Sequence, residues 1–300
     1  MLNQYHCKSN NFKFQPELSK WIRFIQPLYN KFVPFRIRHR RNVTQSKLND
    51  VVVISLLCWQ VSLDVTNQFR FYSFLKNNVF KSRQFPERSR FNRICRNALS
   101  SLQYIRIGLS ENYFQNPAYL IMDSLPLPVC APVRNKRAKV FRQIADIGYN
   151  AAKKQYYYGF KGHFEIDNNG IIRAYVITKA SKTDTALVKT TDTALVKTLL
   201  SGYRCSKVLA DKGYLKKELK EELNREGIWF WTPIRKNMEP QEDEKMTKDL
   251  KRKRKYIETI FSGWVNLFDI ERIRVKSLKG FQLRLEQCFL VYTVQLLEIN

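Results

Sequence analysis

The stretch Ile121-Met-Asp-Ser-Leu-Pro-Leu-Pro-Val-Cys130 sets the fold, because an apolar run leads straight into an acidic residue. The run Ala118–Met122 has the length and composition of a short buried strand. Pro126 and Pro128 cannot donate to a sheet ladder, so the sequence predicts that the strand stops at Asp123. A carboxylate there would be rigid yet open to solvent, which suits a metal ligand. An aspartate that caps the next turn is the alternative.

The composition indicates a folded protein with a polyanionic partner. The 300 residues are 44% hydrophobic and include 20 Phe and 15 Tyr, which excludes a disordered basic tail. The net charge of +27 favours phosphate binding, because cationic surfaces release counterions from nucleic acids. This charge is spread along the chain without a basic amphipathic helix, so nucleic acid is favoured over a membrane surface.

The sequence predicts no membrane span and no disulfide framework. The longest apolar run, Val51–Trp59, is too short to cross a bilayer, and the first residues lack a signal-peptide core. The six cysteines lie far apart without a Cys-x-x-Cys pair, which predicts reduced thiols in a cytoplasmic protein and no zinc site. His6, His39 and His163 are expected to be surface or packed residues.

Residues 1–112 are predicted to form a helical, basic region. The segment Arg36–Arg41 carries four arginines. Arg38, Arg40 and Arg41 are interpreted as a strip that contacts DNA phosphates, with a solvated helix end as the alternative.

Two helices are predicted next in this region. Ser46 or Asn49 is expected to cap a buried helix over Val51–Trp59, although its β-branched opening leaves a strand possible. A second helix is expected over Asn67–Asn77, where aromatic residues recur at helical spacing.

A further helix is predicted from Phe85 onward, capped by Ser89, with Arg90 and Arg93 on a basic face. Several short helices ending in a basic one fit a helix-turn-helix-like DNA-binding domain, although many helical domains share this pattern.

From residue 118 the pattern changes to strands. The segments 156–167 and 171–178 flank an Asn-Asn-Gly turn and predict a β-hairpin. The run Lys207–Ala210 predicts a strand that ends in Asp211, and a helix and a strand are predicted next, at 215–225 and 227–233.

The remainder of the chain is predicted to contain a mobile insertion and two helices. Residues 235–255 are highly charged and end in five basic residues, which predicts a mobile segment. A helix from Tyr256 places an apolar stripe against the core, with Glu258 at its margin. Another amphipathic helix is expected over 281–297. We therefore assign 113–300 to one domain.

Asp123, Asp211 and Glu258 are the carboxylates best placed to converge. Phosphodiester chemistry uses such a set, because two divalent ions must be held so that one activates the attacking oxygen and the other stabilises the leaving oxygen. Carboxylates are the hard ligands that Mg²⁺ prefers. Lys212, Arg254 and Lys255 flank these acids and are interpreted as contacts to the DNA backbone, with ordinary solvated charge as the alternative.

Six segments together resemble the DDE transposases of bacterial insertion sequences, and the insertion-sequence 982 family in particular. The resemblance covers nearly the whole chain. The segments are Asp123–Cys130, Tyr158–His163, Ala210–Tyr214, Ile257–Ser262, Arg88–Arg93 and Arg272–Phe281.

This resemblance implies a fold, a reaction and a set of partners. The fold is an α+β or α/β protein with an RNase-H-like catalytic core, a mixed sheet flanked by helices, preceded by a helical DNA-binding region. Asp123, Asp211 and Glu258 would be the catalytic, metal-binding triad for two Mg²⁺ (or Mn²⁺) ions. Water would cleave at the terminal inverted repeats of the double-stranded element, and the freed 3′-hydroxyl would attack target DNA. Pairing two ends implies at least a homodimer, and a bacterial source implies association with the nucleoid.

One feature departs from the family pattern. The octapeptide at 183–190 is repeated without change at 191–198, which indicates an in-frame duplication of coding DNA. Eight residues added within a helix would shift the next part of the chain by about 12 Å and misplace Asp211, whereas an added loop would be tolerated. A catalytically impaired remnant that only binds DNA is therefore a second hypothesis, and a general metal-dependent nuclease is a third.

Overall fold

The computed structural model of the chain describes residues 15–80, 85–181, 199, 205–214, 217–234 and 243–299. In chain order the elements are α1 (Gln15–Phe32), α2 (Phe35–Arg38), α3 (Asp50–Ser62), α4 (Gln68–Asn78), α5 (Arg88–Asn97), α6 (Leu99–Tyr113), β1 (Leu120–Pro128), a 3₁₀ helix (Pro132–Arg137), β2 (Asp146–Asn150), β3 (Gln155–Asp167), β4 (Ile172–Lys179), β5 (Lys207–Ala210), a 3₁₀ helix (Lys212–Tyr214), α7 (Lys217–Arg225), β6 (Trp229–Trp231), α8 (Glu244–Phe268), a 3₁₀ helix (Ile270–Arg272) and α9 (Leu278–Ile299).

The chain divides into two compact units. Unit 1 comprises Met1–Leu109 with Leu278–Asn300, and unit 2 comprises Ser110–Ser277. The sequence assigned 113–300 to a single domain, but α9 groups with the N-terminal helices. The reason is packing, because α9 lies against α3 and α5.

Unit 1 is helical, and its central helix α3 is buried along almost its whole length. Asn49 caps α3 by accepting a hydrogen bond from the backbone N–H of Val52 at 2.8 Å, as the sequence predicted for one of two candidates. The cap predicted at Ser89 is wrong. Helix α5 begins at Arg88, and its cap position, Glu87, makes no side-chain capping bond.

Unit 2 is organised around one mixed sheet with the strand order β2-β3-β1-β5-β6, in which β4 also pairs with β3. Strands β1, β2, β3 and β4 pair antiparallel, whereas β1, β5 and β6 pair parallel. Helices α8 and α7 contact the sheet. The predicted α+β class, with a mixed sheet flanked by helices and preceded by a helical region, is confirmed.

Strand β1 does not stop at Asp123, which corrects the prediction. It pairs with β3 through Pro128, while its pairing with β5 ends at Met122. The backbone N–H of Val129 donates to β3 at 3.0 Å. Backbone nitrogens alternate in direction along a strand, so those of Pro126 and Pro128 face away from β3, toward the edge of β1 that is no longer paired with β5. Proline is tolerated at such an unpaired edge.

Helix α8 also begins earlier than predicted. The segment 243–255 was expected to be mobile, but Asp243 caps the helix by accepting from the backbone N–H of Met246 at 2.7 Å. The Lys248–Glu244 and Lys253–Asp249 ion pairs, both 2.6 Å with i,i+4 spacing, further favour helix in this charged sequence. Residues 235–242 lie outside the described residues. The apolar stripe of α8 is buried as predicted.

The predicted hairpin of β3 and β4 is confirmed, and it carries a buried ion pair. The Arg173 guanidinium donates to Asp167 at 2.6 and 2.9 Å and to the Ser110 carbonyl at 3.0 Å. It also donates to the carbonyl of Phe114. Because the Arg173 side chain is only 1% exposed, this cluster fixes the end of α6 against the hairpin.

The described cysteines are free thiols, as predicted; Cys58, Cys95, Cys205 and Cys288 are buried. Within the described ranges, no helix has both the length and the apolar character needed to cross a membrane.

Candidate active site

The pairing of β1 with β5 brings two of the three predicted carboxylates to one face of the sheet. Ile121 lies opposite Leu209 in this parallel ladder. Asp123 and Asp211 each come two residues later, so their side chains point to the same face. Parallel strands also end at the same edge. The register therefore places both aspartates where β5 stops.

Helix α8 packs on that same face. Asp123 lies opposite Phe164 on β3, and the Phe164 ring contacts Phe261 at 5.5 Å and Trp264 at 5.1 Å between centroids. These aromatic contacts fix how α8 is rotated about its axis. Glu258 lies about one turn before Phe261 on the same helix.

The guanidinium of Arg254 contacts all three carboxylates. Its Nη1 lies 3.0 Å from Asp123 and 3.6 Å from Asp211, and its Nη2 lies 3.1 Å from Glu258. Asp123 lies on β1, Asp211 directly follows β5 and Glu258 lies on α8, so only the tertiary structure gathers them. They form a single acidic cluster around one cation.

The members of this cluster differ in exposure. Arg254 and Asp123 are mostly covered, with side chains 13% and 17% exposed, while Asp211 and Glu258 are 37% and 56% exposed. A substrate can therefore approach from the side of Glu258 and Asp211. The Asp123 carboxylate also accepts from the backbone N–H of Ser124 at 2.8 Å, which orients it.

Two of the sequence segments meet beneath Asp211. Tyr214 is fully buried, and its hydroxyl is hydrogen-bonded to Nδ1 of His163 at 3.0 Å. Nε2 of the same ring lies 3.1 Å from the Thr178 hydroxyl, and burial lowers the pKa of His163 to about 3. His163 is thus a neutral, packed residue, as predicted. The backbone N–H of Tyr214 donates to the Asp211 carbonyl at 3.0 Å, which holds the turn that carries this acid.

Glu165 is a buried acid on the opposite face of the sheet. It lies across from Met122, and neither of its carboxylate oxygens has a hydrogen-bond partner among the described residues. Burial raises its pKa to about 8, despite the opposing effect of Arg173. The group therefore stays protonated in the folded protein at neutral pH.

Glu165 makes stability depend on pH. In the unfolded chain its pKa is about 4.5, so between about pH 4.5 and 8 only the unfolded state loses this proton. We expect the free energy of unfolding to fall across that window by a few kcal/mol and to level off above it. In Glu165→Gln this decline should be absent, while the exposed control Glu218→Gln should keep it. Urea denaturation at pH 5, 6.5 and 8 measures this, and equal declines in all three proteins would contradict it.

The three carboxylates of the cluster are chemically suited to bind a divalent metal ion, but the Arg254 guanidinium contacts all of them. Three carboxylates are the hard oxygen donors that Mg²⁺ and Mn²⁺ take. With the guanidinium among them, the described residues contain no group of three His, Cys, Asp or Glu placed to hold a metal ion. Asp123, Asp211 and Glu258 remain the residues that would hold one.

The predicted DNA-contacting residues differ in exposure. Lys212 and Lys255 are exposed near the acidic cluster, and Arg254 lies within it. In unit 1, exposed side chains belong to Arg41, Arg90 and Arg93, while Arg38 is half-buried.

Arg40 has a structural partner. Its guanidinium donates to the buried carboxylate of Asp50 at 2.6 Å, and the Tyr29 hydroxyl donates to the same acid at 2.8 Å. A second contact joins Arg40 Nη1 to Asp50. Its role as a DNA contact stays a prediction.

Sequence reasoning missed the inward position of Arg254. It grouped this residue with the solvated cations, but Arg254 and Glu258 are four residues apart on α8 and therefore lie on one helix face. That spacing was the available signal. It also missed the His163–Tyr214 bond, which no local pattern reveals.

The acidic cluster lies at β1, the strand that pairs antiparallel with β3 and parallel with β5. The family model described as "Transposase DDE domain" matches residues 115–278, and the chain belongs to that family. A search of the curated proteins finds no match.

Among solved structures, the chain is similar to the cryo-EM structure of the piggyBac transposase synaptic complex with hairpin DNA. The identity is 12%, the TM-score is 0.42, and the similarity covers 96% of this chain and 80% of the other.

Proposed function

We propose that the chain is the transposase of a bacterial insertion sequence, of the 982 family, and that Asp123, Asp211 and Glu258 are its catalytic triad. The observation that supports this most strongly is the convergence of these three acids on Arg254 in a chain of the DDE family. The enzyme would cleave the element at its terminal inverted repeats and join the 3′-hydroxyl to target DNA.

The triad would hold two Mg²⁺ or Mn²⁺ ions, which when bound supply activation of the attacking oxygen and stabilisation of the leaving oxygen. The chain's own residues keep the triad in register. Asp123 is fixed by its strand and by Ser124, and Asp211 by the turn that Tyr214 anchors. This rigidity favours an in-line geometry for attack on the phosphorus.

DNA would be bound by the cations that surround the triad and by those of unit 1. Lys212 and Lys255 are exposed and suited to contact phosphates beside the cut. The N-terminal region, residues 1–112, would recognise the terminal repeat, with Arg38, Arg40, Arg41, Arg90 and Arg93 as candidate contacts. Two ends must be paired, so a homodimer or larger assembly in the bacterial nucleoid is proposed.

The experiment that tests this proposal is strand cleavage of a labelled duplex carrying the terminal repeat. Wild-type protein is compared in Mg²⁺, Mn²⁺ and EDTA, on the repeat and on a scrambled duplex of equal length. Metal-dependent cutting at the repeat end alone supports the transposase. Equal cutting of both duplexes would instead favour a general nuclease, and specific binding without cutting would favour the remnant.

A second candidate is a catalytically impaired transposase that only binds its repeats. The octapeptide duplication at 183–190 and 191–198 favours it, because the added residues precede the strand that carries Asp211. Both copies lie outside the described residues. Strand β5 itself pairs with β1 in register, so the described part of the site is assembled.

Deleting residues 191–198 separates these candidates. If the duplication impairs the enzyme, the deletion variant is expected to cleave the terminal repeat at least about tenfold faster than wild type, since a one-ångström misplacement costs on the order of 100-fold. Single-turnover cleavage rates of both proteins measure this. Deleting residues 183–190 yields the identical sequence, so independently prepared genes provide a replicate. Unchanged rates would show that the added residues are absorbed.

A further inference from the structure

We propose that Arg254 is a positioning residue that exchanges partners: it offsets part of the triad's negative charge before metal binds and contacts a DNA phosphate afterwards. This inference rests on the proposed function. Its starting point is that a single, largely buried guanidinium contacts one oxygen of each acid. Three carboxylates gathered without a cation would repel one another, so Arg254 stabilises their convergence.

The charges favour the exchange. Three carboxylates and one guanidinium carry a formal charge of −2, which still attracts a divalent cation. A bound divalent ion would compete with the guanidinium for these carboxylates, and the repulsion between the two cations would favour release of Arg254. The two cations compete for one set of acceptors.

The released side chain stays beside the cleavage site. Arg254 lies one helical turn from Glu258 on α8, so its head remains within reach of a phosphate held there. Guanidinium binds phosphate in a two-point geometry, which replaces the hydrogen bonds that it gave up. Metal and DNA binding are then coupled through one residue.

The competition between Arg254 and a metal ion is tested by measuring Mn²⁺ binding in the absence of DNA. Electron paramagnetic resonance reports the concentration of free Mn²⁺. Arg254→Gln removes the competing charge and is expected to bind Mn²⁺ at least about tenfold more tightly than wild type. Arg254→Lys keeps the charge and is expected to stay within about threefold of wild type. If Arg254→Gln binds Mn²⁺ no more tightly than wild type, the exchange is overturned.

Binding of a terminal-repeat duplex, with and without Ca²⁺, tests the second half. Ca²⁺ should raise the DNA affinity of wild type more than that of Arg254→Gln, because only the wild type frees a guanidinium for DNA. If Ca²⁺ raises the DNA affinity of both proteins equally, the proposed contact of Arg254 with a DNA phosphate is overturned.

Asp123→Asn distinguishes the failure of this inference from that of the proposed function. If it binds Mn²⁺ as well as wild type, the proposed metal site is wrong. If it binds Mn²⁺ more weakly while Arg254→Gln is unchanged, only the exchange is wrong.

A separate observation supports a second inference, which also rests on the proposed function. A cavity of about 710 Å³ lies within unit 2, between the end of β1, the β2–β3 hairpin and the segment after α8. Its lining includes four cations, Arg134, Lys153, Arg272 and Arg274, and one acid, Glu271, which pairs with Lys153. Among the described residues neither Arg134 nor Arg274 has an ion-pair partner.

We infer that this cavity binds the sugar–phosphate backbone of DNA away from the cut. Pro128 at its rim is five residues beyond Asp123 on β1, a separation of about 17 Å at roughly 3.4 Å per residue. Nucleotides of one DNA strand advance by about 3.4 Å each along the helix axis. We infer that the cut strand runs along β1, in which case it would reach the cavity about five nucleotides from the cut.

Salt dependence of duplex binding tests the cavity. Arg134→Gln/Arg274→Gln should bind a repeat duplex more weakly, with the log–log salt slope reduced by about 1.8 for two phosphates. The control Lys217→Gln/Arg225→Gln removes the same charge from exposed positions on α7 and should keep the wild-type slope. Equal slopes in both double variants would overturn the inference.

Neutral methylphosphonate links placed along the duplex locate the contact. Wild type should lose affinity when the link lies about five nucleotides from the cut, and the Arg134→Gln/Arg274→Gln variant should not. Sensitivity that is the same in both proteins would also overturn it. Because neither measurement requires cleavage, both remain valid if the triad proves inactive.

Discussion

Asp123→Asn is expected to lower the rate of terminal-repeat cleavage by at least about 10³-fold. The substitution keeps the size of the side chain but removes one of three negative charges that would hold the metal ions. A loss of that size corresponds to about 4 kcal/mol of transition-state stabilisation. The neutral amide oxygen would also accept more weakly from Arg254, which bonds the Asp123 carboxylate at 3.0 Å in the wild type.

The matched control is Asp249→Asn. Asp249 lies on the same helix as Glu258 but pairs with Lys253 and Arg252, away from the acidic cluster. The substitution changes the net charge equally, and the variant should cleave within about twofold of wild type. Single-turnover rates at saturating protein give the comparison. A rate for Asp123→Asn within tenfold of wild type would exclude this residue as a triad member.

Arg173→Met is expected to destabilise unit 2 by about 3–5 kcal/mol, which is the usual cost of breaking a buried ion pair. The substitution leaves the Asp167 carboxylate, which is 0% exposed, without its cation. It also removes the donors to the carbonyls of Ser110 and Phe114. Because these acceptors are buried beside the guanidinium, their desolvation is not recovered.

A double variant separates the effect of the unpaired Asp167 carboxylate from the loss of the Arg173 side chain. Asp167→Asn retains an oxygen for the backbone N–H groups of Asn169 and Ile171, which donate to Asp167 Oδ1 at 2.8 and 3.0 Å in the wild type. We expect Arg173→Met/Asp167→Asn to be more stable than Arg173→Met alone, although less stable than wild type. Urea denaturation followed by tryptophan fluorescence measures all three. If the free energy of unfolding of Arg173→Met lies within 1 kcal/mol of the wild-type value, the buried ion pair does not stabilise the protein as proposed.

Much of the fold can be predicted from local sequence patterns. Alternating and continuous apolar runs identified the hairpin, strand β5 and the buried helix α3, because each element buries its own residues. The apolar stripe of α8 predicted which of its faces is covered. These patterns also singled out Asp123, Asp211 and Glu258 before any contact was known.

Predictions were wrong where contacts in the folded structure outweighed a rule based on local sequence. Proline was taken to end β1, but its missing N–H is harmless on an edge that β5 has already left. The charged segment before Tyr256 was taken as mobile, but a cap at Asp243 and paired charges make it helical. The last helix packs on α3 and α5, which lie far away in sequence.

By itself, then, the sequence determined the hairpin, strand β5, helix α3 and the α+β class, and it singled out the three candidate acids, since these depend on residue type and spacing. Only the tertiary structure decided that, in the described part of the chain, the guanidinium of Arg254 lies among those acids. Arg254 resembles its four basic neighbours in sequence, and it differs from them because aromatic packing of Phe164 against Phe261 and Trp264 sets the rotation of α8. The local spacing of Arg254 and Glu258 indicates only their mutual contact, whereas long-range packing brings the same guanidinium to Asp123 and Asp211.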